Sequence, residues 1–254
     1  MPDSALFYSY FRQAPVVSIS QAQRGAIQEA NFVGTVHHGL PMELHRASTH
    51  AAGGYLAFLG RISPEKDPVQ AIRIARAAKM KLKIAAKVDV VDEAYFREQV
   101  YPLLDSPDVE FIGELSEQKK GDFLRSANAL LFPICWPEPF GLVMIEAMAC
   151  GTPVLAFDHG SVREVIDDGV TGRVVTNFEE AVRELPQVMR LDRRQVRRRF
   201  EKRFSARRMA KDYVRIYQKQ ISRPLSERHR RVGAGEQARL NGDGLLADTG
   251  LHVD

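Results

Sequence analysis

The sequence has 254 residues, a hydrophobic content of 44% and a formal net charge of +4. This length and apolar content are sufficient for a packed core. The sequence has no run of 18 apolar residues and no basic-then-apolar N-terminus, which argues against a membrane span or a secretory signal. It therefore predicts a soluble, cytoplasmic protein. Cys135 and Cys150 lack the spacing of a zinc site or disulfide framework, so we expect both to be reduced and buried.

Between Tyr55 and Val175, short apolar runs alternate with longer segments of helical period. The runs that predict strands are YLAFLG, KLKIAAKV, VEFIG, NALLFP, PVLAF and GRVV. The segments that predict helices are PVQAIRIARAAK, DEAYFREQVYPLL, SEQKKGDFLRSA and GLVMIEAMA. Such alternation is typical of a doubly wound, Rossmann-like α/β fold with a parallel sheet.

The flanking segments do not continue this alternation. Upstream, APVVSIS and ANFVGTVHHGL predict two strand-to-loop units, which we interpret as the trailing edge of another domain. Downstream, helical segments run to about Ile221, and the Gly-rich end is predicted to be disordered. Lys and Arg crowd the stretch from Arg190 to Arg231. A solvated helical face is favoured there, an anionic membrane surface or an anionic acceptor stays open, and nucleic acid is the least favoured partner.

The most informative stretch is WPEPFGLVMIEAMACGTP, residues 136–153. Pro137 and Pro139 keep the chain extended, and a run of strong helix formers begins after Gly141. Glu138 is therefore predicted to lie in a loop at the entrance of a helix, at the carboxyl end of the strand NALLFP. Ligands of α/β sheets bind at the carboxyl ends of strands.

The same helix entrance offers free backbone amides for a phosphate group, and those of Gly141, Leu142 and Val143 are the candidates. Glu146 is predicted to lie about 7 Å further along the helix axis. Two carboxylates would then flank a diphosphate. The spacing of Glu138 and Glu146 alone favours ordinary surface charges over a binding site.

This block closely resembles the signature of the glycogen-synthase and sucrose-synthase-like superfamily, which comprises retaining GT-B glycosyltransferases of group 1, family 4. The resemblance implies that Glu138 contacts hydroxyl groups of the donor sugar and that Glu146 binds the nucleotide ribose. It extends more loosely from Gly53 to about Leu185.

A second matching motif is GRISPEK, residues 60–66, at the end of the first strand of this domain. The resemblance implies that Arg61 and Lys66 reach the donor diphosphate, where fixed cations replace a metal ion in stabilising the leaving group. It also implies a base pocket after the strand VEFIG. The expected catalytic residues are Arg61, Lys66 and Glu138. The expected donor-binding residues are Gly60, Gly113, Leu115, Phe140, Gly141, Leu142, Val143 and Glu146, with no metal ion and no cofactor besides the donor.

Three further positions carry weaker signals. His37 and His38 are expected to be structural or to line the cleft between domains. Glu164, in a Gly-containing turn of the family, is left out of the site because it fits a structural role equally well. The glycine-containing turn that usually follows the strand KLKIAA is replaced here by Lys87-Val88-Asp89.

The resemblance divides the chain into four parts. Residues 1–50 are the remnant of an N-terminal acceptor domain with a linker, and residues 51–203 form the nucleotide-sugar-binding domain. Residues 204–222 form a C-terminal crossover helix, and residues 223–254 form the tail. Most of the acceptor domain is therefore expected to be absent.

The implied function is transfer of a hexose from a nucleotide-sugar, most simply a UDP-sugar, with retention, by a donor-binding half that is inactive alone. The acceptor is open. The alternatives are a nucleotide-sugar-binding module of a two-chain enzyme and a GT-B sugar-nucleotide epimerase. A partner chain with the N-terminal domain, self-association and peripheral membrane contact also stay open. A Rossmann dehydrogenase is disfavoured, because GRISPEK stands where G-x-G-x-x-G would be needed.

Overall fold

A six-stranded parallel sheet forms the centre of the computed structural model, which describes residues 7–222. Its strands are β3 (Tyr55–Ile62), β4 (Lys81–Val88), β5 (Val109–Gly113), β6 (Ala129–Phe132), β7 (Val154–Phe157) and β8 (Gly172–Val175). The strand order is β5-β4-β3-β6-β7-β8, and each neighbouring pair is parallel. The strand order changes direction between β3 and β6. The predicted doubly wound, Rossmann-like fold is confirmed.

Helices cover both faces of this sheet. The helices in chain order are α1 (Gln21–Ala26), α2 (Pro68–Ala77), α3 (Glu117–Ser126), α4 (Leu142–Ala149), α5 (Val162–Val165), α6 (Phe178–Val188), α7 (Arg193–Arg203) and α8 (Ala206–Ile221). Helices α2 to α7 contribute to the cores of the main sheet, whereas α1 and α8 contact a smaller sheet that precedes it. One apolar core packs α2 and α6 on one face, and a second packs α3, α4 and α7 on the other. Strands β6 and β7 are buried throughout because both of their faces lie beneath helices.

The segment DEAYFREQVYPLL is not the continuous helix that its pattern predicts. Residues 90–103 instead form a succession of short helical turns, one of them a π-helical turn at Phe96–Val100. Pro102 lies in the last turn and has no amide hydrogen to donate, so a regular helix cannot continue there.

A small two-stranded parallel sheet precedes the main sheet, formed by β1 (Pro15–Ser18) and β2 (Asn31–Thr35). Helix α8 returns to it: Ile216 packs against Gly34, and Arg208 donates to the carbonyl oxygens of His37 and His38 at 2.8 Å each. The Leu40 amide donates to the carbonyl oxygen of Phe204, and the Leu40 carbonyl accepts from the amide of Ala206, the first residue of α8, at 2.8 Å each. The predicted domain boundaries stay a prediction, and the predicted disordered tail lies outside the described residues.

Part of the basic stretch is buried, which makes the solvated-face interpretation wrong for Arg193. This side chain is 7% exposed and donates to the carbonyl oxygens of Ser48, Ala127 and Arg125 and to the hydroxyl of Thr152, at 2.7–3.1 Å. The planar guanidinium group has enough donors to tie these segments together.

Two other sequence expectations meet the structure here. Cys150 is buried, but Cys135 is exposed, so the expectation of burial is wrong for Cys135. Among residues 7–222, no helix combines the length and the apolar character that crossing a membrane requires.

Candidate functional site

A cleft of about 290 Å³ opens at the carboxyl ends of β3, β4 and β5. This is the edge of the sheet where α/β folds bind ligands, next to the point where the strand order changes direction. Five of the predicted site residues line it together: Gly60, Arg61, Leu115, Val143 and Glu146. A Cβ atom at Gly60 would meet no other atom within 4 Å, so the backbone there is open to a ligand.

Helix α4 supplies the wall opposite the strands. Its N-cap is Gly141, with φ of 75°, and no side chain caps its first turn. The first amides of a helix have no acceptor within the helix, so those of Leu142 and Val143 are available to an anion. A side chain at Gly141 would run into Met144 and Phe132, so glycine is required by both the backbone angle and the space.

Glu146 points into the cleft from the second turn of α4. Burial raises the pKa of its carboxyl group, the Lys120 ammonium opposes this shift, and Glu117 adds to it. Lys120 lies 3.9 Å from Glu146 and 2.9 Å from Glu117. Lys120 also lines the cleft, and sequence reasoning missed it because its helix, α3, carried no recognised motif.

Lys66 and Glu138 form a separate ion pair and do not line the cleft walls described above. Lys66 ends a short 3₁₀ turn after β3, and Glu138 lies in the loop between β6 and α4. The Glu138 carboxylate also accepts a hydrogen bond of 3.0 Å from the indole of Trp136, and the residue is 8% exposed. The ammonium of Lys66 lies 5.2 Å from the centre of the Trp136 ring. Glu138 is therefore held in one orientation.

The loop that carries Glu138 rests on Gly160, a further residue that was not included in the predicted site. A Cβ atom at Gly160 would overlap with the backbone of Pro137 and Glu138, and the φ of Gly160 is 59°. The next residue, Ser161, donates its amide to the Glu138 carbonyl at 2.9 Å. The family's Gly-containing turn was the signal that could have indicated this role.

Phe140 and Gly113 differ from the other predicted donor-binding residues. The side chain of Phe140 is 2% exposed and packs edge-on against His38 and Phe204. Gly113 ends β5 with φ of 81° and leads into Glu114 and Leu115, which line the cleft. Phe140 thus contributes its side chain to the core, whereas Gly113 sets the direction of the loop.

The histidine pair has the structural surroundings expected for it. His37 lies 3.2 Å from Glu164, and this carboxylate also accepts the backbone amides of Gln21 and Ala22 at 2.7 and 2.8 Å. Glu164 therefore joins the first turn of α1 to the main domain. Burial lowers the pKa of His38, and the positive charge of Arg208 lowers it further.

One cluster within residues 7–222 has side chains of the types that bind metal ions. The ligating atoms of His45, Glu117 and Glu146 lie within 4.8 Å of one another. The ammonium of Lys120 lies beside both carboxylates and balances part of their charge. We therefore assign the cluster to an ion-pair network.

A larger cavity of about 700 Å³ lies beyond the end of β4, lined by Val90, Phe96 and Tyr101 among others. None of the predicted site residues lines it. We place the candidate site in the smaller cleft, because it combines strand ends, a helix N-terminus and charged side chains.

Comparison with known proteins assigns the class. Residues 42–206, more than half of the chain, match the family model described as glycosyl transferases group 1. The chain belongs to this family.

Individual relatives are longer than this chain. It is 35% identical over 130 residues to phosphatidyl-myo-inositol mannosyltransferase from Mycolicibacterium smegmatis, which covers 48% of this chain and 32% of that protein. The chain spans less than half the length of the curated relatives it matches.

Solved structures agree on the fold. AviGT4, a glycosyltransferase involved in avilamycin A biosynthesis, matches with a TM-score of 0.70 and 26% identity, over 82% of this chain and 64% of that one. Anabaena HepE in complex with UDP-glucose matches with a TM-score of 0.67 and 18% identity, over 82% of this chain and 64% of that one.

Proposed function

We propose that this chain is the donor-binding half of a glycosyltransferase that transfers a hexose from a UDP-sugar to an acceptor, with retention of configuration. The observation that carries the proposal is the cleft at the ends of β3–β5, where Arg61, Glu146 and the free N-terminus of α4 face one another. Cations and helix amides suit a diphosphate, and a buried carboxylate suits the hydroxyl groups of a ribose.

Different residues of the site bind different parts of the donor. The Glu146 carboxylate accepts hydrogen bonds from the ribose hydroxyls. The diphosphate is bound by Arg61 and by the backbone amides of Leu142 and Val143. Lys66 and Glu138 meet the donor where the diphosphate joins the sugar, Lys66 with its charge and Glu138 with its carboxylate. The ion pair between them keeps both side chains oriented before the donor arrives.

Catalysis in this proposal comes from position and charge. The bond from the anomeric carbon to the diphosphate breaks, and negative charge develops on the departing UDP. The acceptor hydroxyl oxygen forms the new bond to the anomeric carbon and gives its proton to the departing diphosphate. Arg61, Lys66 and the helix amides stabilise that charge without reorganisation and without a metal ion. Neither glutamate acts as a covalent nucleophile, because both carboxylates bind donor hydroxyls.

Two findings support this donor class. Family membership rests on residues 42–206, which include the entire cleft. HepE, whose fold is similar, was crystallised with UDP-glucose. No contact of the described residues favours the epimerase or the two-chain module over the transferase.

Calorimetry tests the proposal. UDP, UDP-glucose and GDP-mannose are titrated into the chain in the presence of EDTA, and we expect UDP and UDP-glucose to bind with the metal removed. Binding that needs magnesium or manganese would overturn the roles of Arg61 and Lys66. Preference for GDP-mannose over both UDP compounds would overturn the choice of nucleotide. Conversion of the bound UDP-sugar to an epimer, detected by NMR, would favour the isomerase.

A further inference from the structure

Four charged residues form a network on one wall of the cleft. The parallel register of β3 and β4 places Arg61 beside Lys87, and both residues line the cleft. Asp89 follows Lys87 by two residues and lines the cleft too. Asp92 lies behind Arg61, 3.6 Å from its Nε atom.

Asp89 contacts both cations with different oxygen atoms. Its Oδ1 lies 2.8 Å from Nζ of Lys87, and its Oδ2 lies 3.6 Å from Nη1 of Arg61. One carboxylate thus holds two cations at the strand ends. The hydrogen bond from Lys87 lowers the pKa of Asp89, so this carboxyl group stays ionised near neutral pH.

The two cations are not buried by this arrangement. The side chains of Arg61 and Lys87 are 47% and 58% exposed, so their charged ends can turn without disturbing the core. An exposed ion pair contributes little to stability, because solvent screens it and the long side chains lose entropy. A pair of phosphates carries more negative charge than one carboxylate and offers more acceptors, so it can displace Asp89 from both cations.

A lysine at position 87 is unusual for the family that the sequence resembles, because a glycine-containing turn is usual there. A lysine at this point adds a flexible, compact charge to a wall that already presents Arg61. Within the described residues, Asp89 is the only residue that pairs with the Lys87 ammonium at hydrogen-bond distance.

We propose that Lys87 is a third cation for the donor diphosphate, and that Asp89 occupies the place of a phosphate between Lys87 and Arg61 until the donor binds. This inference rests on the proposed donor-binding function and names a residue that the matched motifs do not contain. When the diphosphate enters, it takes over both cations, and the Asp89 carboxylate turns to solvent.

The first experiment is calorimetry of UDP and uridine with Lys87→Gln. We expect UDP to bind about three- to tenfold more weakly, the range for one exposed charge-assisted contact, and uridine to bind as before. The salt dependence of UDP binding should also become shallower, because one cation is lost. Lys83→Gln is the matched control: Lys83 lies on the same strand, pairs with Glu110 and does not line the cleft.

The outcomes separate the alternatives. The role of Lys87 would be overturned if Lys87→Gln binds UDP as tightly as the unsubstituted chain does. It would also be overturned if Lys83→Gln loses as much UDP affinity as Lys87→Gln. A loss that is equally large for uridine would place Lys87 at the base or ribose, and would overturn it too. If the unsubstituted chain binds no UDP at all, the proposed function fails, and this inference with it.

Asp89→Asn tests the second part of the proposal. Because the amide no longer competes for the cations, we expect UDP to bind about two- to fivefold more tightly, the size of one screened surface pair. Weaker UDP binding would show that Asp89 positions Lys87 and Arg61 for the donor, and would overturn its role as an occupant of the phosphate place. Thermal unfolding monitored by circular dichroism verifies that each variant is folded.

Discussion

Glu138 and Glu146 belong to one segment but have different surroundings. Glu138 accepts hydrogen bonds from Lys66 and Trp136, which fix its carboxylate outside the cleft walls. Glu146 faces the cleft, with Lys120 at 3.9 Å and a pKa raised by burial. Because the two carboxylates lie in different surroundings, we expect substitution of Glu138 and substitution of Glu146 to have different effects on donor binding.

Substitution of the two glutamates separates the nucleotide from the sugar. We expect Glu146→Ala to weaken UDP by roughly ten- to hundredfold, the value of a lost charged hydrogen bond. Glu138→Ala should leave UDP unchanged and reduce only the additional affinity of UDP-glucose over UDP. Calorimetry with both ligands measures this, and equal losses of UDP affinity in the two variants would contradict the division of roles.

Arg193 is a residue of the core although it lies in the basic stretch. Its four hydrogen bonds join the segments around Ser48, Arg125, Ala127 and Thr152, and no carboxylate is among the acceptors. A substitution here removes a charge and also leaves buried acceptors without a donor.

We expect Arg193→Met to lower the free energy of unfolding by about 3 kcal/mol, because buried carbonyl groups lose their donors. Urea unfolding followed by fluorescence or circular dichroism measures the change. The adjacent Arg194→Met is the control, since Arg194 is exposed and should change the stability by less than about 0.5 kcal/mol. Similar losses in both variants would contradict the structural role of Arg193.

At the scale of elements, the site depends on the turn after β7 as well as on β3 and α4. The turn brings Gly160 against the backbone of Glu138, and Ser161 donates to the Glu138 carbonyl. The Glu138 loop thus packs against a segment that lies more than 20 residues further along the chain. Its conformation is set by this contact together with Pro137 and Pro139.

Gly160→Ala and Gly169→Ala form a matched pair for this contact. Both glycines have positive φ, 59° and 76°, so each alanine carries the same backbone strain. Only at Gly160 would the new methyl group overlap with another segment; at Gly169 the nearest atom is 3.7 Å away.

We expect Gly160→Ala to cost about 1–3 kcal/mol more stability than Gly169→Ala, the range for overpacking. It should also reduce the additional affinity for UDP-glucose over UDP, because the Glu138 loop must shift. Urea unfolding and calorimetry measure the two effects. Equal stability and equal sugar affinity in both variants would show that the Glu138 loop is not supported by Gly160.

For the whole molecule, the strands of the main sheet could be predicted because each is a short apolar run between turn signals, as in VEFIG and GRVV. The irregular turns of residues 90–103 could not, because the helical period of that segment is strong and only Pro102 interrupts it. Arg61 and Glu146 come from two separate motifs, and both line the same cleft. The contacts of Lys120 with Glu146, and of Arg193 with the backbone near Ser48 and Ala127, join segments that are distant in the sequence, which no local pattern encodes.

The relation of this chain to its longer relatives leads to a prediction about activity. The cleft with Arg61 and Glu146 provides contacts for a donor, and the chain spans less than half the length of the curated relatives it matches. If acceptor contacts lie in the part of those relatives that has no counterpart here, the 254-residue chain should bind UDP-glucose but transfer glucose at a negligible rate. Holding an acceptor close to the anomeric carbon contributes about 7–11 kcal/mol to lowering the barrier of such reactions.

A radiolabelled-donor assay over a panel of sugar, inositol and lipid acceptors measures transfer, with and without an added N-terminal half from a full-length relative. Calorimetry on the same preparation verifies that UDP binds, so that inactivity is not confused with unfolding. Turnover that appears only when the added half is present would support a division of the site between two bodies. Robust transfer by this chain alone would mean that residues 1–254 already contain an acceptor site.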